Sequence, residues 1–390
     1  MIRALALTVL VALSVALPTA AAAQGTVDDV IGFLVTNQAV PTGDFQKDQA
    51  AALAARVAIS RALLIDLTSV PLATASSGFL YRLNPALGTV ERATDSFGAF
   101  FVERALTPGS GHASVGISTT TSSFDELDGK SLRDGALVTV ANQFRDEAAP
   151  FDTESLILRI RSSTMTLFGS VGIGNRIEIG AALPLVKLTL DGQRVNVYRG
   201  ATLIQATGNA TASGLADLAL RGKVNLLANR SGGVAVAGEI RLPTGDAANL
   251  LGTGKTSYRI MGIGSLEGGP VALHGNASIL TGGISSEFDF AGALSVALHP
   301  RVTLSGETLV RRVTDLHALD LVSAPHPTLI GVDTFRLAPA VDPQTLALVV
   351  TGIKWNVAHT LVIGGHLNWS LLHRGLTAPL TPTLALEYAF

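Results

Sequence analysis

The sequence contains no cysteine, and that absence removes two classes of protein. A secreted scaffold held together by disulfides is excluded, and so is a lipoprotein anchored through an N-terminal cysteine. Charged residues make up only 15% of the chain, the formal net charge is −2, and no basic patch is present. The composition therefore gives no reason to expect a nucleic-acid partner.

Long apolar runs are also missing beyond the first 23 residues. No uninterrupted apolar stretch reaches the roughly 18 residues that a membrane-spanning helix needs. The mean hydropathy is nevertheless +0.41. Either the protein has a large soluble core, or the apolar residues occupy every second position of many strands, as in a transmembrane barrel. Aromatic residues are 5% of the chain, which is few for a barrel with rich aromatic girdles.

The N-terminus has the pattern of a secretory signal peptide. Arg3 supplies a positive charge, residues 4–17 form a short apolar stretch, and Pro18 follows it. Alanines at positions 21–23 give an A-x-A cleavage site before Gln24. We therefore predict a signal peptide over residues 1–23 and export of the remaining chain.

Strict alternation of apolar and polar or small residues begins near Ser96. It is clearest in residues 384–390, where the last residue is Phe390. The same period of two recurs in residues 218–226, 234–242, 271–279, 288–298, 302–311 and 361–371. Each run is long enough for the roughly 9–11 tilted residues that cross a bilayer. We predict an all-β, transmembrane antiparallel β-barrel over residues 96–390 with about 14 strands (roughly 12–16), the first near residues 97–106.

Short and long connections alternate between these runs. Short turns are expected at residues 174–175, 231–233, 267–270, 299–300 and 357–359. The intervening connections are mostly longer, at residues 191–213, 245–254, 313–344 and 373–379, with a brief one at 282–286. Bacterial outer-membrane barrels have this asymmetry, with short periplasmic turns and longer external loops. A soluble β-sandwich does not require it, although that fold remains an alternative.

Residues 24–95 do not show the strand pattern. Thr42 or Asp44 can cap a helix over residues 46–67, in which apolar residues have a loosely helical spacing. We predict a partly helical N-terminal segment that either plugs the barrel or lies in the periplasm. The alternative is a helix that packs on the barrel end and has no gating role.

Charged residues and histidines fall on the face of the predicted strands that should point into the barrel. Such residues either form a polar pathway or pair across strands and fill the lumen. Small residues on the same face (Ala219, Ala235, Ala237 and Gly364) would leave room for a passage or for the N-terminal segment. The predicted lumen-lining set is Arg159, Arg161, Glu178, Arg221, Lys223, Glu239, Arg241, His274, Glu307, Arg311 and His366.

Motifs for catalysis or for a cofactor are not found. The string at residues 252–256 (GTGKT) is similar to a phosphate-binding loop, but the motif needs glycine at position 249, where the chain has Asn249. A lipid-modifying enzyme would need a serine and a histidine in contact at the outer lipid edge. His366 and Ser370 share a strand face but are four residues apart, which is roughly 13 Å. We predict no cofactor and no enzymatic activity.

Three strings resemble the family of outer-membrane barrels known as phenol-degradation meta-pathway proteins. They are residues 241–246 (RLPTGD), 251–256 (LGTGKT) and 214–220 (GLADLAL). The family is similar in plan to fatty-acid and aromatic-hydrocarbon uptake channels, which have 14 strands and an N-terminal plug. Phe390 also resembles the terminal aromatic residue that forms part of the assembly signal of outer-membrane barrels. The resemblance implies contact with outer-membrane lipid, the barrel-assembly machinery, periplasmic chaperones and a small-molecule solute.

From these patterns we predict a bacterial outer-membrane channel for passive uptake of small hydrophobic or aromatic solutes. One alternative is a structural or adhesive barrel with a filled lumen, whose loops 191–213 and 313–344 would form the contact surface. A second is a lipid-modifying barrel enzyme.

Overall fold

The computed structural model describes residues 25–68, 81–84, 89–92, 94–229, 231–358 and 360–390. The predicted signal peptide, residues 1–23, lies outside these ranges. Two helices are described, α1 (Val27–Val35) and α2 (Phe45–Thr68). Neither is apolar over a length sufficient to cross a membrane.

Strands dominate the rest of the described chain. A separate hairpin consists of β1 (Tyr81–Asn84) and β2 (Thr89–Arg92), and three short strands, β4 (Glu126–Leu127), β5 (Lys130–Ser131) and β18 (Leu376–Thr377), pair with one another. The main sheet contains β3 (Ala113–Phe124), β6 (Leu137–Phe144), β7 (Asp152–Ile173), β8 (Ile177–Tyr198), β9 (Ala201–Leu215), β10 (Leu218–Asn229), β11 (Gly232–Leu242), β12 (Ser257–Gly268), β13 (Val271–Gly282), β14 (Glu287–His299), β15 (Val302–Pro325), β16 (Val332–Ala358), β17 (Leu361–Ser370) and β19 (Leu380–Ala389).

The main sheet closes on itself, which confirms the predicted antiparallel barrel. It has 14 strands, of which 12 form the ring in the order β3-β7-β8-β10-β11-β12-β13-β14-β15-β16-β17-β19. The ring closes where β19 pairs with β3, for example Leu386 with Ile117. Closure leaves no free edge inside a bilayer, where unpaired backbone groups are costly. The predicted range of 12–16 strands thus holds, and the other two strands, β6 and β9, extend the sheet beyond the ring.

The first ring strand begins at Ala113, and no strand forms at residues 97–106. The latter residues belong to a stretch without regular secondary structure, residues 94–107, which we call the inner segment. Phe97, Phe100 and Ala105 of the inner segment are buried inside the ring. The sequence of residues 97–106 is similar to that of a strand because the inner segment, like a strand, buries apolar side chains against the wall.

The outward face of the ring is apolar. Side chains such as Ile260 and Leu384 are about 70% exposed in the isolated chain, at 69% and 70%. Aromatic residues lie toward both ends of this face: Tyr258, Phe288, Phe290 and Trp369 toward the long loops, and Trp355, Tyr388 and Phe390 toward the short turns. An apolar band between two aromatic girdles is the surface of a barrel that spans a membrane. Seven of the 20 aromatic residues of the chain occupy these two girdles.

The predicted short turns at residues 174–175, 231–233, 267–270 and 299–300 lie at one end of the barrel, which we call the short-turn end. β16 and β17 also meet at this end, where the fifth turn was predicted at 357–359, and His359 lies outside the described residues. Two of the predicted long loops, 191–213 and 313–344, are instead mostly strand. β8 continues to Tyr198 and returns as β9, and β15 continues to Pro325 and returns as β16. Together with β6 they form a six-stranded extension sheet in the order β9-β8-β7-β6-β16-β15 at the opposite, long-loop end.

The extension sheet is stable because the two helices pack on its inner face and bury its apolar side chains. α1 begins at a capping box formed by Thr26 and Asp29. α2 begins where the backbone N–H of Lys47 donates to Asp44 at 3.1 Å, which confirms the helix predicted over residues 46–67. The buried faces of α1 and α2 pack against inward-facing apolar residues of the extension sheet in one core, which includes Ile31, Leu34, Ile59, Leu63, Leu158, Leu188, Leu190, Leu316 and Leu337. Strand pairing beyond the membrane is thus stabilised by apolar burial.

The strings that carry the family resemblance come together in one loop at the long-loop end. The carboxylate of Asp217 accepts from the backbone N–H of Gly245 at 3.1 Å and from both the N–H and the hydroxyl of Thr253 at 2.8 Å. Asn249 in the same loop accepts from the N–H of Val27 at the start of α1. The string GTGKT therefore belongs to a loop that holds α1.

We predict that Asp217→Ala opens the 245–255 loop. The substitution leaves the N–H groups of Gly245 and Thr253 without their carboxylate partner, which costs about 1–3 kcal/mol locally. Faster amide hydrogen exchange at residues 245–255 and in α1 is the expected result. Asp191→Ala, at an exposed carboxylate on the outer face of β8, is the matched control. Equal exchange in the two variants would contradict the prediction.

Candidate functional site

The structure places nine of the eleven predicted lumen-lining residues on the inward face of the ring. Burial alternates along each strand, and these side chains lie on the face turned away from lipid. They are Glu178, Arg221, Lys223, Glu239, Arg241, His274, Glu307, Arg311 and His366.

Arg159 and Arg161 are the exception, because both are exposed on the outward face of β7. Their inward neighbours are Leu158 and Ile160, which pack against the helices. This part of β7 belongs to the extension sheet, beyond the apolar band. There the covered inner face is apolar and the outer face meets water, so the polarity of the two faces is reversed.

The inner segment is fixed inside the ring by a carboxylate of the wall. Both oxygens of Glu307 on β15 accept from three successive backbone N–H groups, those of Phe100, Phe101 and Val102, at 2.5–2.9 Å. Charge-assisted hydrogen bonds of this kind are stronger than neutral ones. Glu307 is 2% exposed, so the three bonds form away from water.

Other wall side chains bind the backbone of the inner segment on the remaining sides. Lys354 donates to the carbonyl of Ala99 at 2.8 Å, and Asn225 donates to that of Ala105 at 2.8 Å. Thr303 and Ser265 accept from the backbone N–H groups of Phe97 and Ala105, and Lys223 donates to the carbonyl of Arg104. The side chain of Arg221 forms an ion pair with that of Glu103. The inner segment therefore closes the short-turn half of the lumen through polar contacts to the wall.

Further charges of the wall pair with one another, within β11 in the case of Arg241 and Glu239 and across strands in the other two pairs. Arg311 and Glu287 approach to 2.8 Å, and Arg241 and Glu239 also approach to 2.8 Å. Arg259 and Asp289 are 3.4 Å apart. Lys354, Arg259, Glu287 and Asp289 were not among the predicted residues, although each occupies an inward position in the alternation.

The long-loop end is closed by the helices. Arg194 on β8 donates to the backbone carbonyls of Phe33 and Thr36 at the C-terminal end of α1, at 2.9 and 2.5 Å. A cation at this end of a helix is favourable because the last carbonyls lack helical partners. Glu154 on β7 lies 3.7 Å from the Arg194 guanidinium, and both side chains are fully buried.

Burial raises the pKa of Glu154 to about 7, although the Arg194 guanidinium acts in the opposite direction. The pair lies in the extension sheet, outside the membrane-spanning part of the barrel. Because the folded protein holds the proton more tightly than an unfolded carboxyl with a pKa near 4.5, the folded form loses stability as the pH rises between these values.

A cavity of about 150 Å³ lies between the two closures. Its walls are mostly hydroxyl groups of β3, β7, β17 and β19, and it reaches the end of α2 and Phe101 of the inner segment. The lining residues are Asp66, Leu67, Phe101, Ser118, Thr120, Ser122, Ser162, Thr164, Thr166, Leu348, His366, Asn368, Ser370, Ala378, Thr381 and Thr383. Of these, only His366 was predicted.

The hydroxyl-lined wall of the cavity was not predicted from the sequence, and the reason is physical. In residues 118–123 of β3 serine and threonine occupy both faces, so apolar and polar residues do not alternate. A signal was nevertheless present, since the three consecutive threonines at residues 119–121 have high β-propensity and favour a strand.

A serine and a histidine do meet inside the barrel, but in a structural setting. Ser265 accepts from the backbone N–H of Ala105 and lies 3.0 Å from His274 Nδ1. Both side chains are buried in the lumen beside the inner segment, away from the outer lipid edge that a lipid-modifying site would occupy. His366 and Ser370 line the cavity instead.

Comparison with known proteins gives distant structural similarity only. No protein-family model matches the chain. The search of curated proteins also gives no match. Among solved structures, an outer membrane channel from Pseudomonas putida F1 has 11% identity and a TM-score of 0.44, over 73% of this chain and 98% of its own. The translocator domain of the autotransporter NalP from Neisseria meningitidis has 11% identity and a TM-score of 0.38, over 72% and 89%.

The CymD monoaromatic hydrocarbon channel has 9% identity and a TM-score of 0.27, over 72% of this chain and 88% of its own. Similarities at this level carry no argument about function. The function is therefore inferred from the residues of this chain.

We predict that Glu154→Gln strengthens the docking of α1 at alkaline pH. At pH 8 the buried carboxylate is charged in the parent protein, whereas glutamine is neutral at every pH. A cysteine at Ile31, in a chain without other cysteines, reports the opening of α1 through its rate of maleimide labelling. Labelling should be slower in the Glu154→Gln background at pH 8, and the two rates should converge near pH 5.

Comparing both backgrounds at one pH cancels the intrinsic pH dependence of the thiol reaction. Glu147→Gln, at an exposed position, serves as the control and should leave the rate unchanged. A constant ratio between the two backgrounds from pH 5 to pH 8 would rule out the role given to Glu154.

Proposed function

We propose that the protein is an outer-membrane channel for passive uptake of small hydrophobic or aromatic solutes, closed by its own N-terminal region. The inner segment is the closure at the short-turn end, and α1 and α2 form the closure at the long-loop end. Opening requires the inner segment to leave its contacts with the wall. In this proposal residues 24–95 and the inner segment together act as the plug, and the rest of the barrel is the passage.

The observation that carries the proposal is how the inner segment is held. A lumen filled for rigidity alone would use large side chains of the wall itself. Here the wall is small where the segment lies: Ala235 and Ala237 pack against Ala105, and Gly352 and Gly364 leave space for the ring of Phe100. The space inside the ring therefore belongs to a separate, removable piece of chain.

The size of the cavity supports a small solute. Cavities of about this volume accept a molecule the size of one aromatic ring. Phe101, Leu67 and Leu348 provide apolar surface within an otherwise hydrogen-bonding wall. A solute with an apolar body and a polar group suits such a lining.

The apolar outer band supports a location in the bacterial outer membrane, with lipid as the surrounding partner. Under this proposal Phe390 is part of the signal read by the barrel-assembly machinery, to which periplasmic chaperones deliver the exported chain. Membership of the phenol-degradation meta-pathway family stays a prediction.

A structural or adhesive barrel is the second candidate. The ion pairs Arg311–Glu287 and Arg241–Glu239 favour it, since they rigidify the wall without any passage. In that case the inner segment would be a permanent part of the core. The lipid-modifying enzyme is the third candidate and has less support from the site geometry.

We predict that Glu307→Gln opens the channel. In the parent protein three backbone N–H groups share the carboxylate of Glu307. Glutamine has nearly the same volume but only one acceptor oxygen and no charge, so the hydrogen bonds to the inner segment become weaker. In planar bilayers the refolded variant should show more frequent or larger conductance steps than the parent protein. Deletion of residues 26–93 removes the closure at the long-loop end but leaves the inner segment in place, so combining the deletion with Glu307→Gln should enlarge the conductance steps further.

The matched control is Glu239→Gln, which removes a lumenal carboxylate that pairs with Arg241 of the wall. It should leave conductance close to that of the parent protein. If Glu307→Gln, the deletion variant and the parent all remain silent despite heat-modifiable folding on gels, the structural barrel replaces the channel as the better account.

A further inference from the structure

The charge of the cavity wall is unbalanced. Among the described residues that line it, Asp66 is a carboxylate and none is a lysine or arginine. The remaining polar lining consists of hydroxyl groups, the amide of Asn368 and the imidazole of His366. Cations of the same lumen lie outside this lining: Lys354 is on β16 next to β17, and Arg311 is on β15.

Asp66 lies in the last turn of α2 and has no hydrogen-bond or ion-pair partner in the described part of the chain. The nearest cation that acts on it is Arg311. Arg311 already donates two hydrogen bonds to Glu287, at 2.8 and 3.2 Å, and also faces Asp289 in the ladder. The positive charge of Arg311 is therefore already balanced by the carboxylates of Glu287 and Asp289, independently of Asp66.

Two other side chains offer unused acceptors to the same space. His366 is 3% exposed, and neither of its ring nitrogens has a hydrogen-bond partner within the described residues. The carbonyl oxygen of Asn368 is likewise buried without one. Buried polar groups are rarely left unpaired, so these unpaired groups around the cavity are available to water or to a ligand.

An aromatic face completes the lining. Phe101 of the inner segment stands 5.2 Å from the His366 ring in an edge-on arrangement and borders the cavity. The faces of aromatic rings attract cations. A carboxylate, several hydroxyl oxygens, an amide oxygen and an aromatic ring are all groups that can bind a positive ligand.

We propose that this cavity binds a small organic cation, an amine that carries one ammonium group on a compact apolar body. The inference rests on the proposed channel function and gives the solute class of that pathway. The ammonium donates to Asp66 and to hydroxyls of β3 and β19, where Thr120 and Thr383 lie 2.9 Å apart. The apolar body lies against Phe101, Leu67 and Leu348.

Three ligands of similar size separate charge from shape. Benzylammonium, benzyl alcohol and benzoate share one aromatic ring and carry a positive, a neutral and a negative polar group. Their binding to the refolded full chain in detergent micelles is measured by isothermal titration calorimetry. We expect benzylammonium to bind about tenfold more tightly than benzyl alcohol, as a charge-assisted hydrogen bond would give, and benzoate to bind weakest.

Substitutions assign the preference to the cavity. Asp66→Asn should reduce the affinity for benzylammonium to that for benzyl alcohol, and Asp191→Asn on the outer face of β8 should leave it unchanged. The double variant Thr120→Val and Thr383→Val removes two hydroxyls at constant shape and should weaken both ligands. Thr308→Val, on the lipid-facing side of β15, is its control.

The order of the three affinities in the unsubstituted protein tests the proposal even if a variant fails to fold. Equal affinities, tighter binding of benzoate, or no binding of any of the three ligands would overturn it. The channel proposal is tested separately, by the conductance of the Glu307→Gln variant in planar bilayers. Conductance without a preference for benzylammonium would support the channel and contradict the cation site. A preference for benzylammonium without conductance would support the cation site and contradict the channel.

Discussion

Buried backbone needs partners, and in this protein that requirement links the barrel wall to the chain inside it. The inner segment has no regular secondary structure, so its N–H and C=O groups cannot pair with each other as they would in a helix or sheet. Glu307, Lys354 and Asn225 of the wall supply the partners. Much of the unusual chemistry of the lumen follows, including charged residues deep in a barrel and small residues beside them.

The sequence predicted the parts of the fold that depend on local repetition. Period-two alternation located the ring strands from β10 onward, and the short turns followed from their glycine and proline residues. The cap at Asp44 located α2. These features could be predicted because each is decided by residues close together in the chain, such as apolar side chains that face lipid at every second position of a strand.

The missed features are those in which one part of the chain changes the environment of another. β8 and β9 continue beyond the membrane because the helices cover them, and that cover turns Leu158 inward and Arg159 outward. The polar face of β3 is not distinguishable by alternation, because Thr119 and Thr121 on its outward face are as polar as Thr120. The wall side chains that bind the backbone of the inner segment lie between 119 and 255 residues away in sequence, and no local pattern predicts them.

The position of the inner segment also constrains the order of assembly. The inner segment lies at the short-turn end and α1 and α2 at the long-loop end of the same lumen, while the seam of the ring joins β3 to β19, the first and last ring strands. Threading two helices, each about 10–12 Å wide, through a finished barrel would be slow. We therefore expect the wall to form around its own N-terminal region, with the seam between β3 and β19 closing last. In that order of assembly the carboxylate of Glu307 binds the inner segment before the ring is complete.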